Sequence, residues 1–244
     1  MLRFLFGEKH RLDTGELAEA NRWLKAYIKE TAPLAHGRKP TPEERKALKR
    51  TVMAKGLIRS LDELEQSLYA ARRFGDLVTS RYMEEMDEAE EDDYHRCVYF
   101  HKNALIRVFS VLDKLGEFLN EQFSLRTEAL KENYSYFTVL RRMRDSKTAS
   151  NLEQLLFERK QRYQEPLLRL KKARNLEIHA INEELTDDLL LMPGTKHTPI
   201  EPLGEKIRDV EVGYQAACGA VLEVFRYLGK GQEKAEKREA RYTR

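Results

Sequence analysis

Residues 94–123 read YHRCVYFHKNALIRVFSVLDKLGEFLNEQF, and their pattern decides the fold. Val98, Leu105, Val108, Phe109, Leu112, Leu115, Leu119 and Phe123 recur at intervals of three, four and seven, the period of an amphipathic helix rather than a strand. At 1.5 Å per residue such a helix runs about 45 Å and is apolar enough to be central.

Outward from this segment the same period returns. Towards the C-terminus, Ile207, Val210, Tyr214, Ala217, Cys218, Val221, Phe225 and Leu228 predict a helix over about 205–228, with Gly229 as its stop. A shorter helix is expected over about 134–145. Ser150-Asn151-Leu152-Glu153 reads as a capping box opening a helical run, kinked at Pro166, that reaches about Leu185. A loop carrying Pro193-Gly194, Pro199 and Pro202 follows. Towards the N-terminus, Asp13 with Glu16 and Thr41-Pro42-Glu43-Glu44 each read as a helix start, the second with proline at the first helical position. Leu57, Leu61, Leu64, Leu68 and Ala71 give another apolar face, broken at Phe74-Gly75. Residues 76–93 read as helical but acidic. No strand alternation, hairpin dipeptide or repeat is present. The expected fold is all-α: an up-and-down helical bundle over 94–228, a helical N-terminal extension over 1–93 and a charged, flexible tail over 229–244.

Composition agrees. Charged residues make up 35% of the 244, hydrophobic ones 41%, and only 12 are glycine and 7 proline, a balance suited to long helices. No apolar run is long enough to span a bilayer, and the apolar start, Met1 to Phe6, is too short for a secretion signal, so no membrane partner is expected. Cys97 and Cys218 lie far apart within helical patterns and read as buried thiols of a reducing, cytoplasmic protein. The net charge of +3 resides in 229–244; residues 1–228 are balanced. Within that body the signs segregate. Eight of the ten residues 84–93 are acidic, whereas 158–174 carry seven bases against two acids. The basic run is either a solvated helix face or a local phosphate-binding stripe.

Arg174 stands out in that run. On a helical wheel, Leu167, Leu170, Ile178, Ile181 and Leu185 share one face with Arg174 in its middle. A guanidinium there must either bond a buried acid or carbonyl, or open onto a wet cleft where it can take a phosphate. Both remain open on the sequence. His179 lies about 140° away on an ideal helix. A distorted turn, or two copies of the motif facing each other across a two-fold axis, is needed for the pair to converge.

Arg174-Asn175-x-x-x-His179 resembles the signature of the HEPN (higher eukaryotes and prokaryotes nucleotide-binding) family: arginine, four to six residues, then histidine, commonly with asparagine or another polar residue after the arginine, ahead of a last core helix. Arg96–His101 and Arg3–His10 also have a suitable spacing, but only Arg174 is followed by asparagine. The resemblance covers roughly the second half of the chain and points to a bacterial branch. It implies a small helical bundle, often a dimeric RNase of toxin–antitoxin or defence systems, active without metal or cofactor and in some systems held by a neutralising protein partner. It assigns His179 as general acid or base, Arg174 as the cation on the scissile phosphate and Asn175 as an orienting group. Cleavage would leave 2′,3′-cyclic phosphate ends on RNA. Lys171 and Lys172 beside the motif, and Arg141 and Arg142 after Tyr134, Tyr136 and Phe137, are candidate RNA contacts. The alternative is a catalytically silent HEPN-like RNA-binding or scaffold protein, docking a partner through the acids of 84–93 or the basic tail. His95 and His101 do not share a face, so no metal site is expected.

Overall fold

The computed structural model describes residues 2–32, 39–179, 199–200 and 202–242, with backbone alone at Leu5, His179 and 232–242. It is all-α. Among the described residues its helices are α1 (Leu2–Leu5), α2 (Gly15–Thr31), α3 (Pro42–Gly75), α4 (Glu88–Phe123), α5 (Tyr136–Asp145), α6 (Ser150–Arg162), α7 (Gln164–His179) and α8 (Leu203–Tyr242). Single 3₁₀ turns lie at Met83–Glu85 and Thr127–Ala129. Among the described residues the only β-type pairing is an isolated bridge, Tyr82 to Pro199. No described helix is long and apolar enough to cross a membrane. Residues 180–185 of the expected α7 run and the Pro193-Gly194 loop lie outside the described residues.

The chain forms two compact units. The first comprises residues 1–11, 62–109 and 163–214; the second comprises 12–61, 110–162 and 215–244. Each is assembled from three stretches of chain, and residue 93 falls inside α4. Leu64, Leu68, Leu105, Val108 and Val210 are buried in the first unit; Leu24, Leu57, Leu115, Met143 and Phe225 are buried in the second. In the second unit Tyr27, Phe118 and Phe225 meet with ring centroids 4.9–5.6 Å apart, Tyr27 edge-on to the other two.

Local chemistry sets the helix ends. At α3 the Thr41 amide donates to Glu44 Oε2 at 2.7 Å and the Glu44 amide to Thr41 Oγ1 at 3.2 Å, a complete capping box. The start of α2 differs from expectation by one residue: Thr14 is the N-cap, and Asp13 instead accepts from Asn21 Nδ2 at 2.7 Å. Residues 76–87 are not α-helical. The Glu90 carboxylate folds back to accept from the amides of Thr79 and Ser80 and from both hydroxyls, which fixes a loop where acidity alone suggested helix. Bonding to the Ser80 hydroxyl, then to the two amides, pulls that carboxyl down to about 2.

Two further expectations are corrected. Glu153 does not complete a capping box at Ser150; its carboxylate accepts from Arg144 Nε at 3.1 Å and Nη2 at 2.8 Å. The capping box sits at Ser135 and Thr138 of α5, where threonine takes the role usually given to glutamate or glutamine. Gly229 does not stop the last helix, which continues to Tyr242. A Cβ at Gly229 would lie 2.4 Å from the Trp23 ring, so this glycine lets an aromatic side chain rest on the helix backbone.

Candidate phosphate-binding site on α7

The first unit packs α7 against α4 and α8. Leu167 and Leu170 are buried, and Leu170 lies close to Gly213 of α8, where a Cβ would meet its Cδ1 at 2.7 Å. Arg169 forms a two-pronged bond to Asp209 of α8, Nε to Oδ2 at 2.7 Å and Nη2 to Oδ1 at 2.6 Å. Lys102 of α4 reaches Glu177 at 3.3 Å. These contacts fix the rotation of α7.

That rotation turns Arg174 towards α4 while leaving it partly open to solvent. Its guanidinium carbon lies 4.9 Å from the centroid of the Phe109 ring, a cation–π contact. Its Nε is buried without a hydrogen-bond acceptor among the described residues. No carboxylate among the described residues pairs with it. A buried guanidinium N–H normally finds an acceptor, and leaving it orphaned costs about 1–3 kcal/mol.

Asn175 is exposed, as are Lys171 and Lys172. The apolar face expected around Arg174 ends there: Ile178 is 49% exposed rather than core, and Ile181 and Leu185 lie outside the described residues. The α7 helix is regular to its last residue, His179, whose side chain lies outside the described part of the structure. A regular helix keeps the backbone positions of Arg174 and His179 about 140° apart. On α4, Tyr99, Lys102, Ile106 and Phe109 follow one another at helical spacing, and Tyr99 and Ile106 are exposed.

The remaining candidates fall elsewhere. Arg141 is exposed in the second unit, but Arg142 donates its Nε to the Leu125 carbonyl at 3.1 Å and serves the local fold. Tyr136 is buried, which pushes its phenol well above the usual range and keeps its ring in the core, whereas Tyr134 is half-buried and accepts from Asn120 Nδ2 at 3.1 Å. Several acids of 84–93 serve local bonds: Glu90 with the 79–80 loop, Asp92 and Asp93 with Arg96 at 2.8 and 3.0 Å, and Glu91 with His95 at 3.7 Å. Burial, with Lys206 and Lys102 nearby, pushes His101 down to about 4, so it is neutral at pH 7. Cys97 is buried and donates to the Ala71 carbonyl at 3.3 Å; burial pushes the thiol up to about 11. Among the described residues no three His, Cys, Asp or Glu side chains gather as metal ligands would.

Sequence reasoning passed over Phe109, read only as core, and the Lys102–Glu177 pair. Glu177 lies within the motif, and that position was the available signal.

Neither a curated protein nor a solved structure matches the chain significantly. The family model described as HEPN_Cthe2314-like HEPN matches residues 53–229, a span that takes in most of α3, all of α4 to α7 with Arg174, Asn175 and His179, and α8 up to Gly229. The chain therefore belongs to this HEPN family.

Proposed function

We propose that the protein is a metal-independent endoribonuclease working as a homodimer. The observation that carries this reading is Arg174: a guanidinium poised on Phe109 with a buried Nε that has no acceptor. A phosphate oxygen supplies that acceptor and the countercharge together.

RNA brings its own nucleophile. His179 on one protomer takes the proton of the ribose 2′-OH as that oxygen bonds to phosphorus, and the P–O5′ bond breaks. The partner subunit's His179 returns a proton to the departing 5′ oxygen. Histidine's ordinary pKa, near 6.5, suits it to both roles. Arg174 stabilises the charge that gathers on the phosphoryl oxygens, and Asn175 orients one of them. The regular helix between Arg174 and His179 favours the two-copy arrangement over a distorted turn. The exposed Tyr99, Ile106 and Ile178 provide apolar surface for the second copy.

The test is cleavage of single-stranded RNA in EDTA by the wild-type protein. The expected products are 2′,3′-cyclic phosphate and 5′-OH ends. The all-deoxy strand stays intact, and His179→Ala is folded and inactive. Cleavage that requires Mg²⁺ or Mn²⁺, or equal cutting of DNA, would overturn the mechanism; activity retained in His179→Ala would overturn the residue assignment. Tight RNA binding without cutting under any condition would instead identify a catalytically silent HEPN-like protein.

A further inference from the structure

Glu177 follows Arg174 by three residues on α7, the spacing at which oppositely charged side chains meet on a helix surface. A carboxylate in that position can close on the guanidinium and occupy the place a phosphate needs. It does not do so here. The Glu177 carboxylate turns to Lys102 Nζ of α4 at 3.3 Å, with both side chains largely covered, 23% and 22% exposed. Arg174 is left with the Phe109 ring and an Nε that has no acceptor. From this we infer that Lys102 is a positioning residue: it draws Glu177 away from Arg174 and so keeps the guanidinium open to a phosphate.

The inference rests on the nuclease reading for its purpose but not for its geometry. With Lys102 gone, Arg174, three residues back on the same helix, is a cation within reach of Glu177, and the site closes on itself. With Glu177 also gone, Arg174 is open again, although no lysine has been restored. Lys102 and Glu177 therefore couple through a third residue, and their effects on phosphate binding are not additive. A purely long-range charge effect gives the opposite pattern, because each substitution then acts independently, Glu177→Gln strengthening binding as much as Lys102→Met weakens it.

The experiment measures affinity for a single-stranded RNA carrying 2′-O-methyl riboses, which cannot be cut, alongside the Arg174 Nε–Hε resonance of each protein without RNA. Lys102→Met is expected to weaken binding about tenfold and to move the Arg174 resonance as Glu177 becomes its acceptor. Glu177→Gln alone is expected to stay within about twofold of wild type. The double variant, Lys102→Met with Glu177→Gln, is expected to recover wild-type affinity and resonance position. Lys102→Gln serves the same test if the methionine variant does not fold. Additive effects, or an Arg174 resonance that does not respond to loss of Lys102, would overturn the inference. Wild-type protein with no affinity for the RNA would count against the nuclease reading, and the resonance would still decide the role of Lys102.

Discussion

Arg159 and Arg174 lie fifteen positions apart in sequence, on α6 and α7, and are both partly buried, yet the structure treats them oppositely. Arg159, in the second unit, lies between two carboxylates: Nη2 reaches Glu16 Oε1 of α2 at 3.0 Å and Glu223 Oε1 of α8 at 3.7 Å. Its guanidinium passes directly over Gly219, where a Cβ would fall 1.7 Å from Nη1. Arg174, in the first unit, has an aromatic ring beneath it and no carboxylate among the described residues. One arginine is satisfied by the fold. The other is positioned by the fold and left unsatisfied. Exposure alone does not separate the two arginines; the carboxylates within reach of each do.

The comparison can be tested by making the same substitution at both positions. Arg159→Met takes the Arg159 cation from Glu16 and leaves Glu223 with Arg226 alone at 3.6 Å, and the second unit should lose about 2–4 kcal/mol in chemical denaturation, less than a fully buried pair because Glu16 is partly exposed and Glu223 keeps a cation. Arg174→Met removes an orphaned donor as well as a cation–π contact, two effects of similar size and opposite sign, so stability should stay within about 1 kcal/mol of wild type. Equal losses at the two positions would erase the distinction.

A subtler probe reaches Arg159 without altering it. Gly219→Ala places a methyl group in the guanidinium's path and dislodges it from both acids. The expected net loss is about 1–3 kcal/mol, since the gain in helix propensity of about 1 kcal/mol offsets part of the broken pairing. An alanine variant more stable than wild type would show that Arg159 finds an equivalent position.

The smallest expected effect concerns a satisfied group in the first unit. Glu90 is held at about 2 by the hydroxyls and amides of residues 79–80, below its ordinary value of 4.5. A carboxylate lowered on folding stabilises the native state above the ordinary value, and its contribution fades as pH falls towards 2. The Ser80 amide resonance should titrate with a midpoint near 2, and the titration should vanish in Glu90→Gln. A midpoint near 4.5 would mean that the loop is not capped by Glu90.

The helical period of residues 94–123 and 205–228 made the fold class legible, because a 3.6-residue repeat of apolar side chains admits no strand. The Arg174, Asn175 and His179 motif was legible because asparagine next to the arginine set it apart from two other arginine–histidine spacings. Non-local chemistry was not legible. Glu90 bonding back to Ser80 turned an expected helix into a loop, and Trp23 lying on Gly229 turned an expected stop into a close approach. Neither partner is near the other in sequence periodicity, so no local rule connects them. The same applies at the site. Glu177 was visible within the motif, but its pairing with Lys102 depends on the rotation of α7 against α4, which Arg169–Asp209 and the packing of Leu170 determine.

On the proposed reading Arg174 is kept unsatisfied for a phosphate while Arg159 is not. The most direct measurement is the affinity of folded Arg174→Met and folded Arg159→Met for the same 2′-O-methyl RNA. Arg174→Met should bind about tenfold or more weakly than wild type, while Arg159→Met, for all its lost stability, should bind as wild type does. Wild-type affinity in Arg174→Met would contradict that reading.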